Sequence, residues 1–230
     1  MDYTGKNIDI KHLDKYSATI EQIEEYSKNI RNNQVPCYLP PCPRCEVKSD
    51  YFTRHEARQR KFYVLVEQLI RVVIGLLIRW KCPGCGKTFT GYPSFAVPYK
   101  RYTLPTIQAF SHRYTEDDKM SYRKVMLGTH IGYSDKENIM AHTTVHRWIT
   151  RLGCFNEIIR KGQELILESN PSSTLCRDLS ALSIPSKKYR SIERKSLLVR
   201  CRQILNLVGL YKVTFGVSIF PKLAALCRFG

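Results

Sequence analysis

Four cysteines in two pairs, Cys42-Pro43-Arg44-Cys45 and Cys82-Pro83-Gly84-Cys85, carry the chemistry most plainly written in this chain. Two thiolates spaced C-x-x-C share one tight turn. Four soft, negatively charged sulfurs at the corners of a tetrahedron are the ligand set that a structural Zn²⁺ prefers. The proline inside each pair presets φ for the turn, and Gly84 and Gly86 let backbone amides approach sulfur without a Cβ in the way. The pairs therefore read as the two knuckles of a zinc ribbon, with Cys42, Cys45, Cys82 and Cys85 as ligands. Cys37, on the proline-rich approach, and His55 are spare donors, Cys37 more naturally an outer thiol.

The elements that must bring the pairs together lie between them. Thirty-six residues separate Cys45 from Cys82, more than the roughly 15–20 usual for such a spacing. That insert has the pattern of strands. Phe62, Val64 and Val66 alternate with Tyr63 and Leu65, and Ile70 to Trp80 is a second run rich in β-branched residues. A long hairpin carried on the ribbon closes the gap. A redox C-x-x-C would more naturally occur once, beside a βαβ pattern that is absent here.

Composition narrows the partners. The chain has 230 residues, enough for one large or two small domains with a proper core, and a net charge of +17. By segment the net charge is −1 over residues 1–35, +9 over 36–115, +1 over 116–152 and +8 over 153–230. An excess of this size on the ribbon and the C-terminal part favours a polyanion, because each neutralised phosphate releases a counterion. The most apolar stretch, Phe62 to Trp80, is broken by Glu67, Arg71 and Arg79, so a bilayer span is not expected. No amphipathic basic helix with a Trp/Phe face suggests a membrane surface. The opening residues lack an apolar signal region, and nine cysteines are an odd number. The expectation is a cytoplasmic protein whose cysteines bind metal or stay free.

Along the chain, residues 10 to 33 have helical periodicity in Ile20, Ile23, Tyr26 and Ile30, with a charged opposite face. This near-neutral helix suits packing or a homodimer contact. Prolines 36, 40, 41 and 43 stop it and lead into the ribbon. Past the second cysteine pair, Pro98-Tyr99-Lys100-Arg101-Tyr102 is a basic-aromatic connector. Lys100 and Arg101 would lie along a phosphate backbone; alternatively the segment is a linker whose tyrosines pack on the ribbon. Thr103-Leu104-Pro105 opens a helix to about Tyr114, and Glu116 to Leu127 is expected to form another.

Ser134 with Glu137 has the form of a capping box for a short helix, Asp135 to Ala141. After a turn, Thr143 to Leu152 is expected to be helical, closed by Gly153 in the C′ position. Val145, Trp148 or Ile149, and Leu152 face inward at helical spacing, leaving Thr144, His146, Arg147, Thr150 and Arg151 outside. Helix, turn and a basic, hydroxyl-rich second helix form a helix-turn-helix pattern. Thr144 and His146 are then candidates to meet base edges, and Arg147 and Arg151 to meet guanine or phosphate.

The order C-P-x-C, hairpin, C-P-x-C-G-x-T-F-T, P-Y-K-R-Y and T-V-H-R-W-I-x-R-L-G resembles the DNA-binding N-terminal region of bacterial insertion-sequence transposases, over roughly residues 37 to 153. It is also similar to stand-alone relatives of unknown function. The resemblance implies Zn²⁺ at Cys42, Cys45, Cys82 and Cys85, and DNA contact through the helix holding Thr143, Thr144, His146, Arg147 and Arg151. It also implies a bacterial, nucleoid-associated setting and a catalytic or regulatory partner protein.

Such transposases continue into a large nuclease domain whose carboxylates hold two Mg²⁺ ions. Beyond Gly153 this chain has only Glu157, Glu164, Glu168, Asp178 and Glu193, and no His. No catalytic residue is assigned and no enzymatic activity is expected. The tail reads as a helix from Phe155 to Ser169, a loop around Pro185, and a basic helix from Lys187 to about Val208. Leu207 to Phe220 reads as core or a partner surface.

The expected protein is α+β: an N-terminal helix (1–35), a zinc ribbon with a long β-hairpin (36–98), a helix-turn-helix bundle (99–153) and a basic, mainly helical tail (154–230). Its expected partner is double-stranded DNA. The rival functions are a transposase subunit or metal-dependent nuclease, and an RNA- or protein-binding zinc-ribbon adaptor.

Overall fold

The computed structural model describes residues 14–66, 69–126, 130–131, 140–216 and 219, with side chains from Thr19 onward except at 130 and 131. These residues form two compact units, one drawn from within Met1–Thr106 and Gly128–Glu137, the other from within Ile107–Leu127 and Asn138–Gly230.

The first unit is built on a hairpin. Strands β1 (Thr53–Val66) and β2 (Leu69–Lys81) pair antiparallel from Thr53↔Lys81 to Val66↔Leu69, with a register shift between Arg54 and Glu56. The insert is thus strand almost throughout, and β1 begins nine residues before the alternation at Phe62. Its outer half is charged and exposed, which hides the period-2 signal but guards an edge strand against pairing with another chain. Strand β3 (Thr88–Gly91) adds antiparallel to β2 at Ile78–Lys81, and the two-residue β4 (His130–Ile131) pairs parallel at Leu69 and Ile70.

Helix α1 (Asp14–Arg31) packs on both long strands. Ser27 ties it to β2: its hydroxyl donates to the Ile23 carbonyl at 2.6 Å and accepts the Leu76 N–H at 3.0 Å, where β2 has neither β3 nor β4 beside it. The helix ends as Asn33 turns left-handed at φ 57°, a conformation Asn tolerates well. Ile23 packs with Phe62, Val64, Leu77 and Phe95, and Ile30 with Phe52, Ile78, Trp80 and the cysteines Cys42 and Cys82.

The second unit is helical. Helix α2 (Leu104–Glu116) begins in the first unit and continues into it; α3 (Tyr122–Met126), α4 (His142–Leu152), α5 (Asn156–Ser169), α6 (Thr174–Asp178) and α7 (Ile192–Phe215) follow. Residues 116–126 do not form the single helix expected. The Asp117 carboxylate accepts the Lys119 N–H at 2.8 Å, and the Ser121 hydroxyl accepts the Lys124 N–H at 3.2 Å. These side chains offer the backbone a turn and a fresh cap in place of a continuous helix. Helix α7 runs seven residues beyond the expected end and buries Leu198, Cys201, Ile204, Leu205, Leu207 and Tyr211 among its neighbours. The Ser191 hydroxyl caps its start by accepting the Arg194 N–H at 3.2 Å, and Gly216 ends it at φ 68°.

Helix α4 has the sidedness its sequence indicates. Val145, Trp148, Ile149 and Leu152 are buried, both Trp148 and Ile149 turning inward. Gly153 has a different role from the one expected. Its φ is −69°, so it is not a left-handed cap. A Cβ there would lie 2.4 Å from the Leu197 carbonyl oxygen, and it is this close approach of α7 that excludes a side chain. Of the expected short helix Asp135–Ala141, Ser134, Asp135 and Glu137 lie outside the described residues. Ala141 is extended and precedes α4 as its N-cap residue.

Candidate metal centre

Each cysteine pair folds as the same small turn. In the first, the Glu46 N–H donates to the Cys42 carbonyl and the Cys42 N–H to the Val47 carbonyl, both at 2.9 Å. In the second, the Gly86 N–H donates to the Cys82 carbonyl and the Cys82 N–H to the Lys87 carbonyl, again both at 2.9 Å. The residue after the second cysteine is left-handed in both, Gly86 at φ 71° and Glu46 at φ 59°. Glycine takes this conformation freely; Glu46 takes it at a cost of about 1–2 kcal/mol. Helix and sheet aim the turns at each other. Cys42 leads out of the proline segment that follows α1, Cys82 follows β2 directly, and the hairpin returns the chain across the 36-residue gap.

The four Sγ atoms converge. Cys42 lies 3.5 Å from Cys85 and Cys45 lies 3.4 Å from Cys82, with all four within 4.8 Å of one another. With Zn–S bonds near ~2.3 Å, the edges of a ZnS₄ tetrahedron measure about 3.8 Å, so the cluster fits a four-thiolate ion without rearranging the backbone. Cys42 and Cys82 are buried against Ile30, Phe52, Ile78 and Trp80, while Cys45 is the most open of the four. Stacked rings of Phe52 and Phe89, 5.7 Å apart, extend this apolar seat. Burial opposes a charge on Cys42, but the amides of Arg44 and Cys45 and the neighbouring Cys85 and Cys45 thiols outweigh it and bring that thiol down to about 6. At Cys45 the Val47 amide favours the charge, yet Cys82, burial, Cys42 and Cys85 push the thiol up to about 12. A thiolate is the form a metal binds. The spare donors stay apart: Cys37 is half-buried against the apolar seat with its thiol pushed up by burial, and His55 is exposed on β1. Among the described residues, these four cysteines are the group of His, Cys, Asp or Glu side chains placed to hold an ion.

The other candidate residues fall in two places. Lys100 and Arg101 are exposed, but their connector is fastened to β1: the Tyr63 N–H donates to the Arg101 carbonyl at 2.9 Å, and Arg60 donates to the Lys100 carbonyl at 2.9 Å. Tyr102 packs against Tyr63 with ring centroids 4.9 Å apart and the rings tilted by 41°, so this tyrosine lies on the sheet, whereas Tyr99 is exposed. Thr143, His146, Arg147 and Arg151 are exposed on α4 and Thr144 is half-buried. His146 does not point freely outward. Its ring meets Tyr122 edge-on at 5.4 Å, and burial, then the charges of Arg194 and Arg147, hold its pKa below the ordinary histidine value. Nothing in the local sequence marks this pairing, because Tyr122 and Arg194 come from distant segments. Glu157 and Glu164 both pair with Arg160 on the outside of α5.

Fold and site together define an α+β protein whose sheet unit carries a four-cysteine cluster fit for one metal ion. A family model described as Domain of unknown function (DUF6431) matches residues 42–128, starting at the first cysteine of the cluster and including all four. No curated protein and no solved structure matches the chain. Among the described residues, no helix is long and apolar enough to cross a membrane.

Proposed function

We propose that this protein binds double-stranded DNA in a sequence-specific way, with a structural Zn²⁺ in the four-cysteine cluster, as a relative of transposase DNA-binding regions. The observation that carries the reading is the outer face of α4. This helix holds no acidic residue; it is anchored by Val145, Trp148, Ile149 and Leu152, and Thr143, Arg147 and Arg151 are exposed along it. A rigidly seated helix with donors along one face suits the major groove, and the net charge of +17 supplies attraction for phosphate. Zn²⁺ would lock the two cysteine turns together and so hold the hairpin and the connector bearing Lys100 and Arg101 in one shape.

The test is fluorescence anisotropy on duplexes selected from a random pool, titrated with salt. Affinity is expected to fall with a double-logarithmic slope of about −4 or steeper, at roughly 0.9 per phosphate contacted. Arg147→Ala is expected to cost about 1–3 kcal/mol on the selected site and less on random duplex. Salt-independent binding, together with an Arg147→Ala variant that behaves as wild type, would overturn the reading. Stronger binding to RNA than to duplex DNA would do the same.

A further inference from the structure

Within the helical unit, a cleft of about 320 Å³ lies where α2, α3, α4 and the start of α7 meet. One wall is made of the rings of Tyr114 and Tyr122, stacked at 4.1 Å and within 7° of parallel. His146, Lys187, Lys188, Arg190 and Arg194 line the rest. Part of this charge is already engaged. Lys187 is paired with Asp118, Lys188 lies 4.3 Å over the Tyr114 ring and donates to the Met120 carbonyl, and Arg194 donates to the hydroxyls of Tyr122 and Thr150. Asp118 offsets the charge of Lys187, whereas the partners that hold Lys188 and Arg194 are neutral and leave their charge in place. Burial and then the cations Arg194 and Arg147 lower the pKa of His146; burial also lowers that of Lys188, where Asp117 and Asp118 act in the opposite direction. The N-terminus of α7 is not the attraction, because the Ser191 hydroxyl and the Glu193 carboxylate already cap it.

We propose that this cleft is a phosphate-binding site, and that the phosphate belongs to a DNA strand passing beside α4; the second part rests on the DNA-binding reading above. An oxyanion placed between Arg190 and Arg194, beside the Asp118-paired Lys187, finds several charge-assisted donors on a surface held rigid by stacked tyrosines. His146 then serves this cleft instead of a base edge, and sequence readout on α4 falls to Arg147, Arg151 and the threonines.

Two measurements on the full chain test the two parts separately. In the first, inorganic phosphate is added at constant ionic strength while the His146 imidazole is followed by NMR. A saturable shift is expected in wild type, lost in Arg190→Ala and restored in Arg190→Lys. Arg190 is exposed, so the variant is expected to melt with wild type. The absence of a saturable shift, or an equal shift in Arg190→Ala, overturns the phosphate site. In the second, Arg190→Ala is compared with wild type on duplex DNA. It is expected to weaken binding by a similar factor on every sequence and to reduce the salt slope by about one. An unchanged slope overturns the assignment to a strand. A wild-type protein that binds inorganic phosphate at His146 but not duplex DNA would support the site and overturn the DNA reading alone.

Discussion

Each of the four cysteines belongs to a turn as well as supplying a sulfur, so removing one leaves three thiols to hold an ion. Cys82 is fully buried between β2 and the Ile30–Trp80 cluster. Cys82→Ser is expected to reduce bound zinc from about one ion per chain to almost none, by metal analysis of the purified protein, because a hydroxyl is a poor ligand beside three thiolates. Full zinc content in that variant would mean that the ion sits elsewhere. A second cysteine makes a pH prediction. Burial pushes the Cys201 thiol up to about 12. In the unfolded chain it ionises near ~8.5. Above that value the unfolded state has released a proton that the folded state keeps, so stability falls as pH rises towards the folded pKa. Cys201→Ala is therefore expected to flatten the decline in melting temperature between about pH 8.5 and 11. An unchanged decline would assign it to other groups, such as Tyr26, which burial also raises to about 12.

At the scale of elements, α4 shows how packing redefines a residue. Gly153 has the position of a helix-ending glycine in the sequence, yet its backbone is right-handed and its lack of a side chain serves α7. Arg200 reinforces this contact by donating to the Gly153 carbonyl at 2.7 Å. Gly153→Ala is expected to cost about 1–3 kcal/mol by overpacking, read as a lower denaturation midpoint. A glycine serving only as a flexible cap would show no such loss, since its φ of −69° suits alanine. The hairpin and the first helix were legible because their inner residues keep a clean period, as at Phe62–Val66 and Ile20–Ile30. The outer half of β1 was not, because an exposed edge strand there carries Arg54, His55, Arg58 and Gln59 instead of an apolar alternation. The break after Glu116 was also hidden, since it depends on the Asp117 and Ser121 side chains taking backbone N–H groups.

For the whole molecule, a Zn²⁺ in the cysteine cluster would stabilise one of the two compact units and not the other. The cysteine cluster lies wholly in the sheet unit. Structural Zn²⁺ contributes about 10–16 kcal/mol in small zinc peptides, comparable to or above the ~5–15 kcal/mol net stability of a typical domain. A chelator is therefore expected to expose the amides of β2 and β3 to hydrogen exchange while those of α5 and α7 keep their protection. Equal loss of protection in both units, or none in either, would contradict a metal that stabilises the sheet unit alone.

Spacing and chemical type were enough to mark the four cysteines that cluster, because C-x-x-C encodes its own turn and sulfur its own preference for a soft ion. Charge and periodicity likewise defined an α+β chain with an amphipathic, basic α4. Only the tertiary structure placed Cys42 within 3.5 Å of Cys85, turned His146 onto Tyr122, and collected Lys187, Arg190 and Arg194 around one cleft. The physical reason is distance along the chain. A local pattern constrains neighbours a few bonds apart, whereas groups more than twenty residues apart meet only when strand register and helix packing have chosen which surfaces face each other.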